Sequence, residues 1–163
     1  MTLTILRYPD PGLTRTCAPV TDFGPKLREF ADQLYAAMRA APGVGITAAH
    51  VGHFLRLVVL DLPELGGRRD FVNPQILSQS SEMMSHQEGS VSMPGAVDIV
   101  TRPAAIRLSY QDLEGMPHEV DMSGFPAICM QHEIDQLDGI FWLQRLSRLK
   151  RERLIKKWQK EQR

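Results

Sequence analysis

The sequence has few cysteines and no long hydrophobic segment. Only two of its 163 residues are cysteines, Cys17 and Cys129, and no Cys-x-x-Cys spacing occurs. This argues against a disulfide framework and a zinc knuckle, so we expect both thiols to be reduced and Cys129 to be buried. No apolar run approaches the roughly 18 residues of a membrane span, and the first seven residues lack the apolar stretch of a signal peptide. We therefore predict a cytoplasmic protein with no membrane partner.

The chain also has no net charge, because 19 Lys and Arg balance 19 Asp and Glu. The charges are unevenly placed, since residues 145–163 carry nine basic side chains against only Glu152 and Glu161. Subtracting this segment leaves ten basic and seventeen acidic residues before it. The pattern indicates an acidic body with a basic C-terminal segment. We expect no sequence-specific DNA partner.

Internal repeats, low-complexity blocks and Gly/Ser linkers are missing, so residues 1–163 are predicted to form a single domain. Apolar residues recur at helical spacing from Pro25 to Ala41, where a Pro-Gly pair ends the pattern. A second helix is predicted over residues 126–137, and a third, basic helix over about 147–163.

Strand signals lie between the first two helices. Residues 55–62 form an apolar run of strand length, and residues 70–74 follow it across a Gly-Gly turn. Residues 104–111 and 116–122 flank a stretch whose composition is typical of a hairpin connection. Because helices bracket the strands rather than alternate with them, the sequence predicts an α+β fold with antiparallel sheets around a central second helix.

That second helix carries the sequence His132-Glu133-Ile134-Asp135-Gln136. Positions 132 and 136 lie on one helix face, at the spacing by which an HExxH motif presents two imidazoles to one zinc ion. In a complete motif, Glu133 would act as the general base toward a metal-bound water. Here the second histidine is replaced by Gln136, and the remaining His-Glu pair taken alone is more typical of a solvated helix.

Three blocks together change this interpretation: GVGITAAH at residues 43–50, EGSVSMP at residues 88–94, and QHE at residues 131–133. In this order they resemble the three motifs of the peptide deformylases, GxGLAAxQ, EGCLS and QHExDHLxG. The resemblance extends to residues 5–10 and to the strand at 55–62. It implies a peptide-deformylase-like fold and, as the family's substrate, the N-formyl group on the initiator methionine of new chains.

The resemblance also implies which positions face the family's metal ion, which is Fe²⁺ physiologically and Zn²⁺ or Ni²⁺ in vitro. The ligands in the family are the cysteine of the second motif and both histidines of the third. These positions correspond to Ser90, His132 and Gln136, so one of three ligands is retained. The glutamine that ends the first motif, which helps to hold the water and the formyl oxygen, is His50 here. Glu133, the general base, is retained.

The implied substrate groove is lined by Val44, Gly45, His50, Gly89 and Val91. Its glycines are small enough to let a peptide backbone approach closely. A serine hydroxyl and a neutral amide are weak donors toward iron or zinc, so the metal should bind weakly or not at all. We therefore predict a deformylase-like protein whose deformylase activity is absent or strongly reduced.

Two other functions are compatible with the same residues. His132 and His50, with His86 as a further candidate, could hold a different metal in a remodelled and active site. The simpler interpretation of His50 is a neutral histidine that is hydrogen-bonded to Glu133 or Gln136. Alternatively, the protein is a non-enzymatic binder of the ribosome or of methionyl and formyl-methionyl peptides.

The basic C-terminal segment corresponds to the helix by which bacterial deformylases dock on the ribosome. A ribosomal partner is therefore expected from the resemblance, while a solvated helix that only promotes solubility is the alternative. Glu88 and Arg102 match positions that form a bracing ion pair in the family, and we predict a structural role for them. Cys129 matches a buried position that is not a ligand.

Overall fold

The computed structural model describes residues 2–163, which form three α-helices and seven β-strands. The helices are α1 (Pro25–Ala40), α2 (Phe125–Leu137) and α3 (Arg148–Glu161). The strands are β1 (Gly45–Thr47), β2 (Leu57–Leu62), β3 (Gly67–Gln79), β4 (Met83–Glu88), β5 (Asp98–Pro103), β6 (Ala105–Gln111) and β7 (Pro117–Ser123). Within these residues no helix is long and apolar enough to span a bilayer.

Antiparallel pairing joins the strands into two sheets. The larger sheet has the order β1-β2-β3-β6-β7, and β4 pairs with β5 in a separate two-stranded sheet. The predicted α+β class with antiparallel sheets is confirmed.

Strand β2 packs against both α1 and α2 and thereby joins these helices to the larger sheet. Val58 and Leu60 pack in one core cluster with residues of α2, whereas Leu57 and Val59 pack in a second cluster with residues of α1. Since successive side chains of a strand point to opposite faces, a strand between two helices must be apolar at almost every position. The run at 57–62 is therefore continuous rather than alternating, and α2 is held in the interior between the sheets.

The three predicted helices are confirmed, with ends within two residues of those expected. Gly24 caps α1 without a side-chain hydrogen bond, and Ser147 caps α3 by accepting a hydrogen bond from the Lys150 N–H at 3.3 Å. The predicted hairpin is confirmed as β6 and β7. In its turn, one Asp112 carboxylate oxygen accepts hydrogen bonds from the N–H groups of Glu114 and Met116.

The strand predictions were less accurate. The strand predicted at 55–62 begins at Leu57, and the segment at 70–74 is part of a strand that runs from Gly67 to Gln79. Gly67 therefore belongs to β3, and the turn before it is a short 3-10 helix at Pro63–Leu65. Strands β4 and β5 were not predicted, because half of the β4 side chains are exposed and polar or charged residues interrupt its apolar pattern.

Candidate active site

A cleft of about 510 Å³ lies between α2, the edge strand β1 and the loop that connects β4 to β5. We call this connection, residues 89–97, the cleft loop. Mostly apolar side chains form the walls, among them Val91, Val97, Phe125 and Ile128. The size and the apolar walls with a few polar groups are typical of a small-molecule or peptide-terminus pocket.

The structure brings most of the predicted site residues into this cleft. All five predicted groove residues line it, and so do Ser90, His132 and Glu133. Gln136 is the exception, because it does not line the cleft. Its side chain is only 1% exposed, and its amide Nε2–H donates to the Leu13 carbonyl oxygen at 2.6 Å.

His132 is buried one turn before Gln136 on α2. Its Nδ1 lies 2.8 Å from Glu88 Oε1, so Nδ1–H donates to this carboxylate and Nε2 is left for the cleft. Burial acts to lower the pKa of His132, but the negative charge of Glu133 and the hydrogen bond to Glu88 outweigh it, so the pKa is raised.

Behind His132, four charged side chains form a continuous chain of ion pairs, of which three are buried and the last, Arg145, is exposed. Arg102 binds Glu88 through two hydrogen bonds of 2.6 and 2.9 Å and binds Asp135 through a third of 2.8 Å. Arg145 in turn binds Asp135 through two bonds of 2.8 and 2.7 Å. Burial alone would raise the pKa of Glu88, but hydrogen bonds from His132 and Arg102 lower it to about 2. The predicted Glu88–Arg102 pair is present and fixes the orientation of His132.

Glu133 projects into the cleft against Gly45. A Cβ atom added at Gly45 would lie 2.5 Å from Glu133 Oε2 and 2.9 Å from Leu60 Cδ2, so any side chain here would force Glu133 or Leu60 to shift. Glu133 Oε1 is buried and has no hydrogen-bond partner within residues 2–163. Burial raises the pKa of Glu133 to about 7, although the charge of His132 acts in the opposite direction.

His50 lies at the end of the segment that follows β1, and it is only 1% exposed. Its Nδ1 accepts a hydrogen bond from the Thr47 backbone N–H at 2.9 Å. Burial and the charge of His132 lower the pKa of His50 to about 3, so the ring is neutral at physiological pH. Because Nδ1 is an acceptor, the single ring proton must be on Nε2. That Nε2–H finds no partner in the described part of the chain.

Two further side chains of the cleft have sulfur or hydroxyl groups. The Ser90 hydroxyl oxygen accepts a hydrogen bond from the Ser92 N–H at 3.1 Å. Cys129 is buried as predicted and also lines the cleft. Burial, together with the negative charge of Glu133, raises the pKa of the Cys129 thiol, which therefore remains protonated.

His86 does not join these residues. It is not among the residues of the cleft, its Nδ1 lies 2.7 Å from the Gln87 carbonyl oxygen, and its ring packs on Phe125 with centroids 4.7 Å apart. Among residues 2–163, no group of three His, Cys, Asp or Glu side chains is arranged to hold a metal ion.

Sequence reasoning missed the outer part of the charge chain and half of the cleft wall. Asp135 is the acidic residue of the third motif, so the motif itself contained a signal for its role. Arg145 was assigned only to the basic segment, although its guanidinium binds Asp135. Residues 95–97 of the cleft loop carry no motif, and nothing in their composition indicates that they line the cleft.

Comparison with known proteins covers almost the whole chain. A model of the family described as polypeptide deformylase matches residues 2–152. A protein of Brucella melitensis named peptide deformylase-like is 57% identical over 159 residues, which cover 98% of this chain and 97% of that protein. A protein of Afipia carboxidovorans named peptide deformylase is 41% identical over 159 residues, covering 96% of this chain and 93% of that protein.

The fold also matches a solved structure closely. A crystal structure of peptide deformylase from Ehrlichia chaffeensis in complex with actinonin superimposes with a TM-score of 0.92 at 34% sequence identity. The match covers 99% of this chain and 98% of that one.

Proposed function

Since the chain belongs to the polypeptide deformylase family, we propose that it retains the family's cleft for a methionyl or formyl-methionyl peptide terminus but removes the formyl group slowly or not at all. The observation that carries this proposal is Gln136, whose amide donates to the Leu13 carbonyl and which lies outside the cleft wall. The name of the Brucella relative, peptide deformylase-like, is consistent with this proposal.

The donors at the three ligand positions do not fit the family's metal ion. His132 offers one imidazole nitrogen, but Ser90 offers a hydroxyl that stays protonated at neutral pH. The amide oxygen of Gln136 is a neutral donor suited to harder cations, and its NH₂ group is committed to Leu13. A structural zinc site is worth roughly 10–16 kcal/mol, so the loss of two strong ligands should cost several kcal/mol of metal affinity.

His50 does not restore the missing ligand. A histidine binds a metal through a ring nitrogen that carries a lone pair, whereas Nε2 of His50 carries the proton because Thr47 donates to Nδ1. The tautomer of His50 therefore argues against the remodelled metal site with His132 and His50.

Without a metal ion, Glu133 is a poor activator of water. Its pKa of about 7 lies roughly nine units below the pKa of about 15.7 for bulk water. Since one unit corresponds to about 1.4 kcal/mol, complete proton transfer would be unfavourable by roughly 12 kcal/mol. The retained base is therefore insufficient for deformylation at an ordinary rate.

Peptide binding is supported by the two unpaired groups in the cleft. The His50 Nε2–H is a donor and Glu133 Oε1 is an acceptor, and both are buried without partners in the described chain. A formamide offers one acceptor and one donor, which are the complementary groups. Leaving a buried polar group unpaired costs about 1–3 kcal/mol, which favours such a ligand.

The test measures binding and turnover separately. A formyl-Met-Ala-Ser peptide should bind in a calorimetric titration, while formate release should be slower by orders of magnitude than with an ordinary bacterial deformylase. Replacing His50 by Leu should weaken binding roughly tenfold because the donor is lost. His50→Gln is the matched control, because it retains an N–H donor. Formate release at the rate of the ordinary enzyme would refute the proposal.

A second proposed function concerns α3, whose basic side chains are almost all exposed. We propose that this surface binds the phosphates of the ribosome in the cytoplasm, where new chains emerge. Such binding should weaken steeply with salt and should be lost when Lys150, Lys156 and Lys157 are replaced by Glu. The control reverses Lys26 and Arg28 on α1. Co-sedimentation that is insensitive to salt or to the α3 substitutions would exclude it.

A further inference from the structure

The cleft loop is enclosed between the cleft and a third hydrophobic cluster. Its Ser90, Val91 and Val97 line the cleft. Its Met93 does not line the cleft and is buried in a cluster that includes Phe141, Trp142 and Trp158, and Ala96 belongs to the same cluster while also bordering the cleft. The shape of this cleft wall therefore depends on what holds the loop from behind.

Two hydrogen bonds from distant parts of the chain hold the outer side of this loop. The backbone N–H of Tyr8 donates to the Ser92 carbonyl oxygen at 2.8 Å. The indole Nε1–H of Trp158 donates to the Pro94 carbonyl oxygen, also at 2.8 Å. Pro94 itself lines the cleft, so the indole is separated from the cleft by a single residue.

Trp158 is the only buried residue of α3. Its ring packs edge-on against Tyr8 with centroids 5.9 Å apart, and the guanidinium of Arg7 lies 5.5 Å above the Trp158 ring. Tyr8 in turn stacks on Phe141 at 5.5 Å. The most deeply anchored side chain of the basic helix is therefore the one that is bonded to the cleft loop.

We infer that Trp158 is a positioning residue for the candidate cleft: its indole N–H, carried on the basic helix α3, holds the cleft loop in the shape that binds a peptide terminus. This inference rests on the proposed function for its ligand, but the bracing of the loop is independent of any ligand. A consequence is that displacement of α3 should alter peptide binding, although no residue of α3 lines the cleft.

The chain offers a matched control in Trp142. This indole belongs to the same cluster and is 1% exposed, but its Nε1–H has no hydrogen-bond partner among residues 2–163. Trp158→Phe and Trp142→Phe remove the same atoms from the same cluster. Only the first substitution removes a hydrogen bond to the cleft loop.

The experiment compares amide hydrogen exchange in the two variants without ligand. The N–H groups of Met93 and Ala96 bond within the cleft loop and report on its opening. Trp158→Phe should accelerate their exchange roughly fivefold, as expected for one lost hydrogen bond, while the amides of β2 remain unchanged. Trp142→Phe should leave the exchange of the cleft loop as in the parent. Equal exchange in both variants would overturn the inference.

Peptide titration of the same variants separates this inference from the proposed function. Trp158→Phe should weaken binding of formyl-Met-Ala-Ser severalfold, and Trp142→Phe should not. If the parent binds no peptide but Trp158→Phe still accelerates amide exchange in the cleft loop, the proposed function is wrong, whereas the positioning role of Trp158 is supported. If Trp158→Phe does not fold, the test is made by NMR on the parent protein. Added peptide should then shift the indole N–H resonance of Trp158 and leave that of Trp142 in place. The reverse pattern would contradict the inference.

Discussion

The two sides of the His132 ring differ in how completely their polar groups are paired. On the Nδ1 side, Glu88, Arg102, Asp135 and Arg145 form an unbroken chain of short hydrogen bonds. On the cleft side, His50 Nε2 and Glu133 Oε1 are buried without partners in the described chain. The groups that orient the imidazole are thus fully paired, whereas the proposed ligand positions Ser90 and Gln136 hold neutral side chains. Under the proposed function, orienting this histidine and binding a metal ion are separable properties.

Substitutions on the two sides of the His132 ring are expected to differ in their cost. Removing one member of a buried ion-pair chain leaves the opposite charge unpaired, which is strongly unfavourable. Ser90 and Gln136 are neutral, and each finds a backbone hydrogen-bond partner, the Ser92 N–H and the Leu13 carbonyl. We therefore expect neutral residues at the proposed ligand positions to cost little stability, and a break in the charge chain to cost much more.

The largest effect is expected when the charge chain is broken. Arg102→Met leaves the carboxylates of Glu88 and Asp135 without their shared partner and should lower the free energy of unfolding by about 3–5 kcal/mol. Urea denaturation measures this change in the free energy of unfolding. The control is Arg107→Met, which breaks ion pairs to Glu119 and Asp121 at an arginine that is 45% exposed and should cost about 1 kcal/mol or less. Equal losses of unfolding free energy in the two variants would mean that the buried ion pairs contribute no more than the exposed ones.

A smaller effect is expected where Glu133 meets Gly45. Gly45→Ala places a methyl group 2.5 Å from Glu133 Oε2, so the neighbours must shift at a cost of about 1–3 kcal/mol. The methyl also narrows the cleft, so peptide binding should weaken with stability. Val44→Ala, at the 44% exposed rim, should change stability by less than about 0.5 kcal/mol. A fully stable Gly45→Ala variant would show that Glu133 is not fixed there.

On the cleft side of His132, the pKa of His50 should make the stability of the protein depend on pH. Its pKa is about 3 in the folded protein and about 6.5 when unfolded, so the unfolded chain binds more protons between these values. Stability is therefore unaffected above pH 6.5 and falls as the pH drops below it. Between pH 7.5 and 5, the parent should lose about 2 kcal/mol more than His50→Gln. Parallel losses in both proteins would indicate that His50 is solvated.

Much of the fold could be predicted from the sequence because the main elements have strong local signals. Helix α1 shows a regular apolar spacing, and the β6–β7 hairpin has turn-forming residues in Asp112 and Gly115. Strands β4 and β5 lack such a signal, since their small sheet has an exposed face and their apolar residues do not alternate regularly. Strand β1 has only three residues, which is too short for a periodic pattern.

The candidate site was predictable where motifs place residues and unpredictable where partners are distant in sequence. The motifs identified Ser90, His132 and Glu133 as neighbours, and all three line the cleft. The partner of Gln136 is a backbone carbonyl 123 residues away, which no spacing indicates. The tautomer of His50 likewise depends on the local hydrogen bond from Thr47, which only coordinates reveal.

The most direct test of the account places a thiol and an imidazole at the two proposed ligand positions. In the double variant Ser90→Cys with Gln136→His, the charge chain that orients His132 is untouched and two strong donors are added. We predict that this variant binds about one equivalent of Fe²⁺ or Zn²⁺ and releases formate from formyl-Met-Ala-Ser, while the parent and both single variants do neither efficiently. A parent protein that binds metal and turns over as fast as the double variant would contradict the account.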